Sequence, residues 1–365
     1  MGKGRTAPDF LMILSTLALL AIGVVMVYSA SAVTAFHDYG DSYYYLKRQL
    51  IFATLGLIAM YFTLNTDYWV WKKFAKAGLI LCFALLVIVL VPGVGVVRGG
   101  ARSWLGIGSL GIQPSEFMKL AMILFLAKLL AEQQGKITHF TQGLLPPLAL
   151  VGAAFGLIML QPDLGTGAVL VGASMIVIFI AGARLSHIAW LGAAGLAGMV
   201  ALIAAAPYRL KRITAFLDPW QDPLGAGYQA IQSLYAIGPG QLVGLGLGLS
   251  RQKYNYLPEP QTDFIFSIIA EELGFLGGMT VLMLFTLLIW RGYRTALTAA
   301  DTFGSFLAAG ITSIIAVQVV INIGVVIGMM PVTGITLPLI SAGGSSLTLM
   351  LTALGLLLNI SRYAR

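Results

Sequence analysis

Residues 258–277 read PEPQTDFIFSIIAEELGFLG, a long apolar segment that opens on Asp263 and then carries Glu271 and Glu272 within it. In hydrocarbon each such charge costs about 2.5 to 3.5 kcal/mol even on a lenient insertion scale, so each calls for a partner or a function. The rest of the chain decides whether that cost applies. Of 365 residues, 58% are hydrophobic and only 10% charged, which excludes the ordinary globular and disordered classes. Apolar segments long enough to cross about 30 Å of hydrocarbon recur near 9–31, 48–65, 74–92, 115–131, 144–161, 165–183, 187–206, 264–290, 303–330 and 337–360. The expected fold is an all-α integral membrane protein, a polytopic bundle of about ten transmembrane helices. It forms a single membrane domain over 1–365, with a long extracytoplasmic loop, 206–263, between the seventh and eighth spans.

The first segment follows Lys3 and Arg5 and ends YSASA. Its apolar run exceeds the core of a cleavable signal, so it reads as a retained span. Cys82 is the single cysteine, which excludes an internal disulfide or a cysteine-based metal site. His37, His139 and His187 are scattered and form no metal-ligand spacing.

Basic residues in short connections set the orientation. With the N-terminus inside, Lys3, Arg5, Lys72, Lys73, Lys76, Lys128, Lys136, Arg184, Arg291, Arg294, Arg362 and Arg365 all fall on the cytoplasmic side. Both termini are then cytoplasmic, and Asp263 sits at the outer membrane surface. The net charge of +8 follows largely from this topology, and no basic patch interleaved with aromatics points to nucleic acid. Topology does not explain the outer cations Arg98, Arg102, Arg209, Lys211, Arg212, Arg251 and Lys253.

Within the loop, Asp218-Pro219 and Asp222-Pro223 mark turns. Ile231, Leu234 and Tyr235 recur at helical spacing opposite Gln229, Gln232 and Ser233, which predicts a short interfacial helix. Glycines 238, 240, 244, 246 and 248 permit close backbone approach; with no strand before them, a nucleotide-cradling loop is the weaker reading.

Polar clusters on the outer side comprise residues 99–119, QPDLGTG at 161–167, the long loop, and PEPQTDFIF at 258–266. Their shared depth suggests one site. Glu116 and Lys119 are three apart and share a helix face; the plain alternative is an ion pair that only joins two spans. For Asp263 the plain alternative is a helix cap. On a straight helix Glu271 and Glu272 point in different directions, so the two glutamates are expected to have structural roles against different neighbours. Gln318 and Asn322, four apart, read as partners between helices. A membrane cavity with one reactive carboxylate and several cations suits an anionic lipid-linked headgroup, its phosphates held by Arg and Lys and Asp263 acting as general base.

The ordered motifs GGARSWL, QPSEFMK, QPDLGTG, FLDPWQDPLGAGYQAIQSLYAIGPG, LPEPQTDFIFSIIAEELGFLG and PVTGITLPLISAGGSS resemble the SEDS family of shape, elongation, division and sporulation proteins, most of all its elongation branch, RodA. The resemblance implies a peptidoglycan glycosyltransferase that polymerises lipid II during cell-wall elongation, alongside a class B penicillin-binding protein and surrounded by membrane lipids. It maps the family's aspartate onto Asp263 and its polar pair onto Glu116 and Lys119. Ser103 stands where many members have a second arginine, which weakens Arg102 as a ligand. The expected substrate-binding set is Glu116, Lys119, Arg102, Arg209, Arg212, Gln161, Asp163, Lys253 and Ser341, with a divalent cation at the diphosphate as an option. The rival readings are a flippase or transporter of the same lipid-linked precursor, supported by the deep Glu271 and Glu272 and by the Pro and Gly breaks at 161–166 and 331–338, and a non-catalytic membrane scaffold for a penicillin-binding protein.

Overall fold

The computed structural model describes residues 6–98, 101–107, 110–204, 210, 214–254 and 256–364. The helices are α1 (Phe10–Tyr39), α2 (Tyr44–Asn65), α3 (Tyr68–Ile88), α4 (Pro114–Glu132), α5 (Leu145–Met159), α6 (Leu164–Ile180), α7 (Leu185–Ala204), α8 (Tyr228–Ile237), α9 (Ile265–Thr298), α10 (Thr302–Val326) and α11 (Gly344–Ser361). A helix occupies each stretch that hydropathy marked. Among the described residues, five helical stretches, Phe10–Tyr39, Phe140–Met159, Ile265–Thr298, Thr302–Val326 and Gly344–Ser361, have the length and apolar composition to cross a membrane.

The helices pack through small residues, as is usual where lipid removes the hydrophobic drive between them. Helix α2 runs parallel to α11, with Gly56 against Leu351 and Thr348, Gly344 against Phe52, and Gly355 against Met60 and Thr63. Thr63 donates to the Thr352 carbonyl at 3.1 Å and Thr348 to that of Phe52 at 3.3 Å. Helices α9 and α10 pack together, as do α3 and α4, and α1 and α9. Far from Asp263, Asp9 caps α1 and pairs with Arg291, Tyr68 bonds Asp301, and Tyr363 bonds Asp67.

One element departs from the helical expectation. Residues 96–112 form a three-stranded antiparallel sheet of β1 (Val96–Arg98), β2 (Ala101–Ile107) and β3 (Leu110–Ile112). Arg98 pairs with Ala101 and Ile107 with Leu110; in the sequence the residues between are Gly-Gly and Gly-Ser. Such dipeptides favour tight hairpins.

Helix α8 forms where the loop predicted one, but with another face inward. Ser233 is buried while Leu234 and Tyr235 are 38% and 50% exposed. The hydroxyl of Ser233 donates to the Val326 carbonyl at 2.7 Å and contacts Ser267 Oγ at 2.8 Å, so hydrogen bonding to the end of α10 overrides the apolar stripe.

Helix α9 breaks at Gly274, whose φ of 65° and ψ of −164° suit glycine alone. The Gly-rich loop fills the break. The amides of Phe275 and Leu276 donate to the carbonyls of Gln241 and Leu242 at 2.8 and 3.1 Å, and those of Leu245 and Gly246 to Glu271 and Glu272 at 2.9 and 3.0 Å. Irregular backbone is tolerated within a bundle only when protein satisfies it in this way. Close approach is also why the loop needs glycine: a Cβ on Gly240 would strike the Ala270 carbonyl, and one on Gly244 that of Glu272.

Candidate functional site

Asp263 stands just before α9 on the segment that enters the bundle. The helix takes Phe264 as its N-cap, without a side-chain cap bond, so the capping role weighed for Asp263 is not the one it plays. Its backbone carbonyl accepts from Asn322 Nδ2 at 2.8 Å. A Cβ on Gly334 would lie 3.6 Å from Asp263 Oδ2, which places the 331–334 turn against the carboxylate. Among the described residues the carboxylate has no ion-pair partner. Burial first, then the charges of Glu259 and Asp163, push its carboxyl up to about 7.

Asp163 caps α6: Oδ1 accepts from Thr166 N and Oδ2 from Gln113 Nε2, both at 3.0 Å. Burial raises its carboxyl above the ordinary range against the pull of the Thr166 bonds, and Glu116 adds to the rise. The breaks at 161–166 and 331–338 pack together, with Gly165 close against the Thr333 carbonyl and Ile335.

Glu116 and Lys119, both buried, form an ion pair at 2.8 Å. Lys119 Nζ also donates to Gln318 Oε1 at 3.1 Å, and Gln318 Nε2 donates to the Thr336 carbonyl at 2.9 Å. The pair lines a narrow cleft whose other lining is mainly apolar, including Leu120, Ile311, Ile314, Leu349 and Met350.

The other expected site residues divide. Gln161 is buried and donates to the Leu86 carbonyl at 3.4 Å, with Oε1 unpartnered. Ser341 accepts from Leu337 N at 2.8 Å and donates to the Thr262 carbonyl at 2.6 Å, so its hydroxyl staples the Asp263 segment to the 327–343 connection. Arg102 lies on β2, partly buried, with its stem against Gly95. Arg209 and Arg212 lie outside the described residues.

Lys253 is directed away from the cluster. Its ammonium pairs with Glu272 at 3.2 Å and donates to the Gly248 carbonyl at 2.5 Å. Glu272 also accepts from Ser29 Oγ at 2.6 Å, Gly248 N at 3.0 Å and Ser250 N at 3.2 Å; Glu271 accepts from Ser250 Oγ at 2.5 Å and Arg251 N at 2.8 Å. The two glutamates thus grip the same loop, where different neighbours were expected, because residues 248–253 curl around both. The deep carboxylates that favoured a transport path are hydrogen-bonded within the fold, and Glu272 has an ion-pair partner in Lys253.

The helices and the convergence of Asp263, Asp163, Glu116 and Lys119 can be set beside known proteins. A family model described as a cell cycle protein and covering FtsW, RodA and SpoVE matches residues 10–365. The chain belongs to this family. Stage V sporulation protein E of Bacillus subtilis (strain 168) is 62% identical over the full length of both chains. A probable peptidoglycan glycosyltransferase FtsW of Trichlorobacter lovleyi is 44% identical, over 97% of this chain and 93% of the relative. Among solved structures, a peptidoglycan synthase complex has a chain with a TM-score of 0.80 at 34% identity, covering 98% of each. RodA of Thermus thermophilus aligns with a TM-score of 0.72 at 31% identity, over 98% of this chain and 97% of that one. As an FtsW/RodA/SpoVE protein the chain is a multi-pass membrane protein.

Sequence reasoning passed over two contributors. Glu259 acts on Asp263 by charge and Gln113 holds Asp163, while Asn322, read as a partner between helices, holds the Asp263 backbone. The carboxylate in PEPQTD and the amide at the head of QPSE were the available signals.

Proposed function

We propose that this chain is a peptidoglycan glycosyltransferase that polymerises lipid II on the outer face of the bacterial cytoplasmic membrane, with both termini inside. The observation that carries the reading is the buried carboxylate of Asp263, without an ion-pair partner among the described residues, against the Gly334 turn and within electrostatic reach of Asp163, which in turn feels Glu116 and Lys119. An acceptor sugar hydroxyl attacks the anomeric carbon of the donor. The new C–O bond forms as the bond to the polyprenyl diphosphate breaks, the hydroxyl proton passes to Asp263, and the diphosphate leaves with the bonding electrons. One base suffices for one inverting displacement, and a positioned base contributes about 10² to 10⁴-fold.

The apolar residues that line the cleft with Glu116 and Lys119 support a lipid tail on that side, with Lys119 toward the diphosphate. Asp263, Glu259, Asp163 and Glu116 outnumber the single nearby ammonium, so charge balance for a diphosphate calls on Arg102, Arg209 and Arg212. The carboxylate of Asp163 is taken up by Thr166 and Gln113. No three His, Cys, Asp or Glu side chains converge as a metal site among the described residues. No step is assigned to a divalent cation.

The full-length 62% identity to a stage V sporulation protein favours wall synthesis during sporulation over the elongation role that the motifs suggested. The likeness to a chain of a peptidoglycan synthase complex supports a class B penicillin-binding protein as partner. The test is glycan polymerisation from labelled lipid II by the purified protein, alone and with that transpeptidase. Polymer is expected; none under either condition would return the function to precursor transport or scaffolding.

A further inference from the structure

The site described above leaves unused the tyrosine-rich corner between α1 and α2, where residues 39–48 read YGDSYYYLKR. The rings of Tyr39 and Tyr44 stack with centroids 3.9 Å apart and planes 12° from parallel. Tyr45 meets them edge-on at 6.1 and 5.3 Å, and Tyr28 stacks on Tyr43 at 5.3 Å. Tyr39 and Tyr43 remain 52% and 51% exposed. Charged groups rim the rings: Lys47 pairs with Asp41 at 2.7 Å, His37 contacts Asp38 at 2.9 Å, and the Arg48 guanidinium lies over Tyr44.

This corner is tied to Asp263. One helical turn beyond Tyr45, about 6 Å along α2, Gln49 donates to the Ser341 carbonyl at 3.4 Å. The Ser341 hydroxyl in turn donates to the carbonyl of Thr262, beside Asp263. Glu259, whose charge acts on Asp263, acts on the Tyr45 phenol as well.

Interfacial tyrosines usually form a lipid-facing belt. Here the rings alternate with exposed Asp38, Asp41 and Lys47, and they adjoin the segment carrying Asp263. Rings with polar tips and a charged rim match a sugar chain, whose C–H faces stack on aromatics while its hydroxyl and amide groups bond to the rim. Two exposed rings, Tyr39 and Tyr43, suit an oligosaccharide better than one sugar.

We propose that the exposed rings of Tyr39 and Tyr43, backed by Tyr44, Tyr45 and Tyr28 and rimmed by Asp41 and Lys47, form a carbohydrate-binding platform that holds a glycan strand beside the Asp263 site. The identity of the strand as polymerase product rests on the function proposed above, whereas the affinity for an amino-sugar chain does not.

The test uses the full-length protein in detergent and a soluble β-1,4-linked N-acetylglucosamine tetramer, with binding read by saturation-transfer NMR. Wild type is expected to bind, Tyr39→Leu to weaken binding about five-fold, Tyr39→Phe to retain most of it, and the exposed-ring control Tyr235→Leu to match wild type. In a parallel lipid II assay, Tyr39→Leu shortens the product strands while the initial rate holds. If no protein makes polymer, the polymerase reading fails and the NMR comparison still decides the platform. Absence of tetramer binding by wild type, or equal binding by Tyr39→Leu, overturns the proposal.

Discussion

Asn322 donates its amide to the backbone carbonyl of Asp263 at 2.8 Å and to that of Ile335 at 2.7 Å, so one side chain of α10 fixes both walls of the candidate site. One turn earlier on the same helix, Gln318 joins Lys119 to the Thr336 carbonyl. Helix α10 thereby sets the spacing between the carboxylate and the ammonium.

Replacing Asn322 by leucine keeps the volume and leaves two buried carbonyls without their donor. The expected cost is about 1 to 3 kcal/mol for each unsatisfied group, with loss of polymerisation beyond the loss of folded protein. Thermal unfolding in detergent and the specific activity of the folded fraction separate the two effects.

Glu116 and Lys119 form a buried pair. Removing one partner leaves an uncompensated charge and costs about 3 to 5 kcal/mol, so Lys119→Met and Glu116→Gln each destabilise strongly. The double variant recovers stability. Activity stays lost in it if Lys119 contacts the diphosphate and returns if the pair only joins helices, which a double-mutant cycle on Tm and rate resolves.

The carboxyl of Asp263 is raised from the ordinary range to about 7, and this has two consequences of fixed sign. A base must be deprotonated, so the polymerisation rate rises with pH below about 7 and levels off above it. In folding, a raised acid pKa means that the native state binds the extra proton, so stability falls as pH climbs from about 4 to about 7. Asp263→Asn removes that penalty. It should unfold at a higher temperature than wild type at pH 8 and at a similar temperature near pH 4, as a pH series of melting curves would show.

The loop clasp has its own test. Lys253→Met leaves Glu272 buried without its ammonium partner, and the expected result is faster amide exchange over residues 244–253 at an unchanged KM for lipid II. Gly274→Ala is more severe, because its Cβ would meet Gly244 N and Leu242 at a backbone conformation that L residues rarely adopt. Hydrogen exchange resolved by peptide reads both.

The helices were legible because continuous apolar runs leave the backbone no other way to satisfy itself in lipid. Asp263 was legible for the converse reason, as a charge without a local excuse. The partners of Glu271 and Glu272 were not, since their directions were reckoned on a straight helix and neither the break at Gly274 nor the fold of residues 248–253 around it is written in periodicity. The same loop took Lys253 out of the cluster expected for it. Residues 96–112 carried their hairpin signals in Gly-Gly and Gly-Ser, but strands this short give too little alternation to stand out beside long apolar helices. Glu259 was hidden by its position in a Pro-flanked turn, where a carboxylate reads as solvated.

The most direct test of the account compares wild type with Asp263→Asn for glycan polymerisation from labelled lipid II, at matched folding and matched recovery with the transpeptidase. The account predicts polymer from wild type and a rate about 10² to 10⁴-fold lower from the variant. Equal rates from the two proteins would contradict Asp263 as the base.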